Sequence, residues 1–117
     1  MRIRVWDGWR AVHNGVDVSR FEWLEFDGEL LGTLVVEIDE DRTDERAFYR
    51  LYDGRIVVAE HRYGDWKRGV DYGVVSVYGS IEEAASRGWR DDLVRIGAYD
   101  APTRDLDEWL SQFEESI

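Results

Sequence analysis

Asp53-Gly54 lies between two alternating apolar runs in the stretch from Arg46 to Tyr63, RAFYRLYDGRIVVAEHRY, and no other feature of the chain constrains its fold as tightly. Asp-Gly favours the type I′ turn, whose positive φ angles suit a two-residue link between antiparallel strands. Such a link pairs Tyr52 with Arg55 and Leu51 with Ile56. Because side chains alternate along a strand, this register puts Ala47, Tyr49, Leu51, Ile56 and Val58 on one face. Phe48, Arg50, Tyr52, Arg55, Val57 and His61 take the other. The first face is the expected core.

The flanking chain extends a sheet. Arg2 to Trp6 alternates as a short strand, with Asp7-Gly8 as the turn after it. The runs SRFEWLEF and LLGTLVVEID read as a second hairpin about Asp27-Gly28. Gly32 within its return strand marks a bulge or a place where an aromatic such as Trp23 covers the backbone. The run Asp39, Glu40, Asp41, Arg42, Thr43, Asp44 and Glu45 has no apolar anchor and reads as a solvated loop. Val70 to Tyr78 is apolar on both alternations, as in a strand covered on both faces.

Helical signals begin at Ser80. Ser80 and Glu83 form a capping box, Gly88 is placed as a left-handed terminator, and Trp89, Leu93 and Ile96 continue a helical stripe up to Gly97. Pro102 breaks the chain. Asp105 then caps a last helix whose Leu106, Trp109, Leu110 and Phe113 share one face. The expected class is α+β in a single domain: an antiparallel sheet of about five to six strands across residues 2–78, with two or three helices across residues 80–115 packed on one face.

Composition narrows the function. The net charge of −11 disfavours direct contact with nucleic acid and favours a basic protein partner. Lys67 is the sole lysine among 15 basic residues, a skew that fits a high-GC or halophilic source as well as any functional reading. The absence of cysteine removes disulfides and thiol chemistry. No apolar run approaches a membrane span and the N-terminus lacks a signal-peptide core, so the expected setting is the cytoplasm, away from membranes.

The chemical inventory is sparse. His13 and His61 lack any paired-ligand spacing, and Glu60 beside His61 points to the opposite face of a strand. Asp91-Asp92 serve the dipole of a helix start. No nucleophile elbow, phosphate loop or dinucleotide fingerprint is present. Catalytic residues, metal ligands and cofactors are therefore not expected.

Binding has better candidates. Phe48, Arg50, Tyr52 and Arg55 interleave rings with guanidinium groups, a combination enriched at interface centres. Trp66 and the acidic Asp39, Glu40, Asp41, Asp44 and Glu45 complete the partner-binding set. The competing expectation is that a helix covers the Phe48 face, with arginine stems lying along it. Trp23, Tyr49, Tyr72 and Trp109 are the candidates for a small-molecule cleft between sheet and helices.

Several phrases also carry a resemblance. FDGELLG (26–32), Phe48-Tyr49-Arg50 with Gly54, VYGSIEE (77–83) and Leu106-Asp107 resemble, in that order, the C-terminal module of the small EXLDI proteins of high-GC bacteria. Those proteins carry an N-terminal segment like a ribbon-helix-helix unit that has no counterpart here, so DNA binding does not carry over. Where the family ends in Glu-x-Leu-Asp-Ile, this chain has Arg104-Asp105-Leu106-Asp107-Glu108. The resemblance implies a sensory or partner-binding module and no catalytic residue.

The expected function is a non-enzymatic acidic domain that binds a basic partner protein. Its sharpest form, by analogy with anti-defence and toxin-immunity proteins, is an inhibitor that mimics nucleic-acid phosphates. The alternative is a small-molecule sensor built on the aromatic cleft.

Overall fold

The computed structural model describes residues 1–40, 42–65, 70–100 and 103–114. Six strands form an antiparallel sheet: β1 (Arg2–His13), β2 (Val16–Asp17), β3 (Arg20–Asp39), β4 (Arg42–Leu51), β5 (Ile56–Asp65) and β6 (Val70–Tyr78). Their order is β2-β1-β3-β4-β5-β6, and β6 also pairs with β1, so the five long strands close into a ring. Every pair in the ring is antiparallel, a condition that five straight strands cannot meet.

Two glycine positions resolve the conflict. Residues Arg20 to Asp27 of β3 pair with β1, whereas Gly28 to Asp39 pair with β4. At the changeover a Cβ on Gly28 would lie 2.8 Å from the Arg50 carbonyl oxygen, so only glycine lets the two backbones meet there. In β1, Gly8 takes a φ of 132° and faces Phe21 of β3 on one side and Gly73 of β6 on the other. Asp7-Gly8 and Asp27-Gly28 thus lie inside continuous strands, not at the turns expected from the sequence. The reason is that a glycine bend within a ladder preserves the flanking hydrogen bonds that a turn would end.

The central hairpin corrects the expected register. Leu51 N–H donates to the Arg55 carbonyl at 2.9 Å and Gly54 N–H to the Leu51 carbonyl at 3.0 Å, with Gly54 at a φ of 89°. Tyr52, Asp53 and Gly54 therefore form a three-residue loop with a left-handed glycine in its last position. Arg50 pairs with Ile56 and Phe48 with Val58. One residue of slip regroups the faces: Phe48, Ile56 and Val58 are buried together on the outer face, and Tyr49 joins Ala59 inside the ring.

Two clusters result. The inner one gathers Ile3, Val5 and Ala59, with Leu24, Phe26, Tyr49 and Val75 against them. The outer one packs Phe48, Ile56 and Val58 beneath Ala84, Ala85 and Leu93 of a helical segment. That segment runs from α1 (Ile81–Ala84) through a wide turn (Ala85–Trp89) into α2 (Arg90–Arg95). Its start is capped as expected: Glu83 N–H donates to Ser80 Oγ at 3.1 Å, and the Glu83 carboxylate accepts from Gly79 N–H at 2.8 Å. Gly88, at a φ of 107°, breaks the helix between its two halves. Gly32 of β3 lies under Ile96, whose Cβ would be 2.7 Å from a Cβ on the glycine, so Ile96 fills the place expected of Trp23.

The α+β class expected from the sequence is therefore corrected to a β-rich fold. More than half of the chain is strand, and only two short helical segments follow it among the described residues, of which the second, α3 (Leu106–Glu114), is exposed at every position from Leu106 to Phe113. The physical reason is that the sheet curls and supplies its own second layer. A covering helix is then needed only over the apolar end of the outer face.

Candidate functional site

The outer face of the sheet changes character along its strands. Near the hairpin loop it is apolar, and at the opposite end it carries Asp44 and Arg46 on β4 against Glu60 and Arg62 on β5. Cross-strand partners are of opposite charge: Arg46 faces Glu60 and Asp44 faces Arg62. The α1–α2 segment covers the apolar end and stops above the charged end.

Arg46 ties the two layers together. Its Nη1 donates to Asp92 of α2 at 2.8 Å and its Nη2 to Asp44 at 3.1 Å, while Trp89 faces its guanidinium from 5.6 Å. Burial works against its charge, but the hydrogen bonds to Asp92 and Asp44 outweigh that cost and raise its pKa. The Glu60 carboxylate is farther, 3.9 Å from Arg46 Nε. Burial first, and the Asp44 carboxylate second, push the Glu60 carboxyl above its usual range. Trp89 is itself held by a 2.9 Å hydrogen bond from its indole nitrogen to the Tyr78 hydroxyl.

A cleft of about 600 Å³ opens between these groups, lined by Arg46, Glu60, Arg62, Ser76, Tyr78, Arg87, Trp89, Asp91 and Asp92 among others. Its polar walls suit a hydrophilic guest. Among the described residues, no group of three or more histidine or acidic side chains is placed to hold a metal ion.

A second feature lies at α3. Asp105 caps the helix, accepting from the amides of Asp107 at 2.9 Å and Glu108 at 3.2 Å. Every residue from Thr103 to Phe113 is nevertheless exposed. Leu106, Trp109, Leu110 and Phe113 stand 65, 43, 42 and 51% accessible, with the Trp109 and Phe113 rings edge to face at 4.8 Å.

The partner-binding residues read from the sequence are dispersed. Phe48 has no accessible surface under the helical segment, and Tyr52 projects from the hairpin loop at 83% exposure. Arg55 beside it is held by Asp53 at 2.7 Å. Arg50 is half-buried opposite Glu29. Asp44, expected in a solvated loop, is 1% exposed because β4 begins at Arg42. Asp39, bonded to Arg42 at 2.8 Å, is exposed with Glu40 and Glu45. Asp41 and Trp66 lie outside the described residues.

The four aromatic candidates are not brought together. Trp23 is stacked under the Arg4 guanidinium at 3.9 Å, and Tyr49 packs edge-on against Phe26 inside the ring. Tyr72 lines a separate small pocket of about 110 Å³, and Trp109 is on α3. His61, expected at a strand surface, stacks on Trp6 with ring centroids 5.0 Å apart and planes within 9°. Burial lowers its pKa, against the opposing charge of Glu45. Sequence reasoning missed Arg46, Glu60, Arg62 and Asp92. The signal was there in the opposite charges that the correct register sets face to face.

Comparison with protein-family models, curated proteins and solved structures returned no match. No helix among the described residues is long and apolar enough to cross a membrane.

Proposed function

We propose that the protein is a non-enzymatic acidic binding domain that docks α3 into an apolar groove with a basic rim on a partner protein. The observation that carries this reading is the exposed stripe of Leu106, Trp109 and Leu110, continued by Phe113. Spacing of i, i+3, i+4 and i+7 is the pattern by which an amphipathic helix fills a groove. Tryptophan supplies the large contact area typical of interface anchors. Asp105, Asp107 and Glu108 flank the stripe and the whole chain carries −11, so charge complementarity selects a basic rim. The resemblance to EXLDI proteins points the same way, towards a partner-binding module, and an inhibitor of a nucleic-acid-binding enzyme is its sharpest form.

The test is affinity capture with the full chain and with a Leu106→Asp/Leu110→Asp variant, each at low and raised salt. The expected result is a basic protein recovered by the wild type, lost with the variant and weakened by salt. Recovery of the same proteins by both chains overturns the reading. So does sedimentation showing a wild-type dimer that the variant abolishes, because the stripe would then be covered by a second copy.

A further inference from the structure

The second half of β3 is a sheet edge. Residues Gly28 to Asp39 pair with β4 on one side, whereas the pairing with β1 ends at Asp27. Past Gly28, whose N–H donates to the Met1 carbonyl, no strand among the described residues pairs with the other side from Leu30 to Ile38. Every second residue there turns its N–H and C=O away from β4. Edges of this kind are commonly guarded by proline, by lysine or by a charge turned inward. Between Leu30 and Ile38 the chain has neither proline nor lysine, and Glu37 is its sole charge. Both alternations are apolar: Leu34 and Val36 are half-buried on one face, and Val35 is 65% exposed on the other. Register shifts at either end leave Gly32 to Glu37 as an unbroken ladder with β4, a regular stretch able to take another strand.

We propose that this edge pairs with the same edge of a second copy, in an antiparallel dimer whose two-fold axis passes beside Val35. Residues that face outward alternate with residues that face β4, and outward must meet outward. A two-fold axis between identical strands must therefore centre on one residue. Centred on Val35, the register sets Val35 against itself, Leu34 against Val36 of the second copy, and Thr33 against Glu37 of the second copy. Apolar side chains then meet apolar side chains on both faces, and the one acid in the ladder meets a hydroxyl that donates to it. The row is thus complementary to itself in shape and in charge. A basic extended segment would find a single carboxylate along the same ladder, Glu37, which gives it no advantage over a second copy. The interface lies on β3 and is separate from α3, so the proposal stands whether or not that helix docks.

Sedimentation equilibrium of the full chain is the first test. A reversible dimer is expected, and Val35→Lys should sediment as a monomer, since two ammonium groups would face each other on the axis. Val35 is exposed, so this variant should keep the wild-type melting curve. Leu106→Asp/Leu110→Asp should leave the dimer intact, which separates a failure of this interface from a failure of α3 docking. Each copy carries −11, so added salt should tighten the dimer, the opposite of its expected effect on capture of a basic partner. Because the chain has no cysteine, introduced thiols test the register directly. Val35→Cys should cross-link to its own copy under mild oxidation, because directly opposed residues have Cβ atoms within about 5.5 Å. Thr33→Cys, whose counterpart lies farther along the second strand, should not. A wild-type monomer at every concentration overturns the proposal, as does equal cross-linking, or none, from the two cysteine variants. So does a dimer that survives Val35→Lys or that Leu106→Asp/Leu110→Asp abolishes.

Discussion

The two helical segments read alike in the sequence and end differently in the structure. Each starts on a side-chain cap, Ser80 in one and Asp105 in the other, and each carries an apolar stripe. Leu93 of the first is wholly buried, whereas Leu106 of the second is 65% exposed. Amphipathicity states that a face seeks cover but not what covers it. The first segment follows β6 directly and finds Phe48, Ile56 and Val58, with Asp92 reaching Arg46 to hold it in place. The second finds the inner sheet face already filled by the ring and the apolar part of the outer face already taken.

The largest expected contrast lies in truncation of the two stripes. Phe48→Ala should cost about 3–5 kcal/mol of unfolding free energy, because it empties the centre of the outer cluster. Leu110→Ala should change stability by less than about 0.5 kcal/mol. Urea melts decide it, and a costly Leu110→Ala would mean that α3 packs on the body after all.

Next in size is the tie between layers. Asp92→Ala leaves Arg46 hydrogen-bonded to Asp44 alone, with Glu60 3.9 Å from its Nε, and should cost about 2 kcal/mol, below the value for a fully buried pair because both side chains keep some contact with solvent. An Asp92→Ala chain as stable as the wild type would show that apolar packing alone seats α2.

The caps make a smaller and sharper comparison. Ser80→Ala should lower global stability by about 1 kcal/mol, since the helix it starts is part of the cooperative core. Asp105→Ala should instead reduce helicity in far-UV circular dichroism while leaving the main unfolding transition in place. Equal shifts of the main transition would contradict the separation of α3 from the core.

The smallest effect concerns the inner face. The His61 pKa is lower in the folded than in the unfolded chain, so the unfolded chain takes up the proton first. Its stabilising contribution is complete above the ordinary value of 6.5 and is lost as pH falls through the depressed folded value. Glu60, with a raised pKa, acts in the opposite sense, its contribution being lost as pH rises. Comparison with His61→Phe isolates the imidazole: between pH 7 and pH 5, about its ordinary range, the wild type should lose stability relative to the variant. Parallel pH profiles would show that the ring protonates freely.

Much of the local structure was legible from residues alone. The strand character of Val70 to Tyr78, the cap at Ser80, the terminator at Gly88 and the stripe of α3 follow from side-chain chemistry acting over a few residues. The central hairpin was legible in place but not in register, because Asp-Gly serves both a two-residue turn and a three-residue loop with a left-handed glycine. That single residue moved Phe48 from a candidate interface to the core. It also hid the facing pairs Arg46–Glu60 and Asp44–Arg62, and with them the cleft.

What the sequence by itself determined is the strand character of most of residues 2–78 and where the helices start, since these depend on neighbours in the chain. Only the tertiary structure decided that the sheet curls into a ring, that Gly8 and Gly28 bend strands without ending them, and that one amphipathic segment is buried on the sheet while Leu106, Trp109 and Leu110 of the other stay exposed. Those outcomes depend on which surfaces are still open when distant segments meet. The Asp53-Gly54 turn states that two strands return on each other, and the packing of both sheet faces selects the register in which they do so.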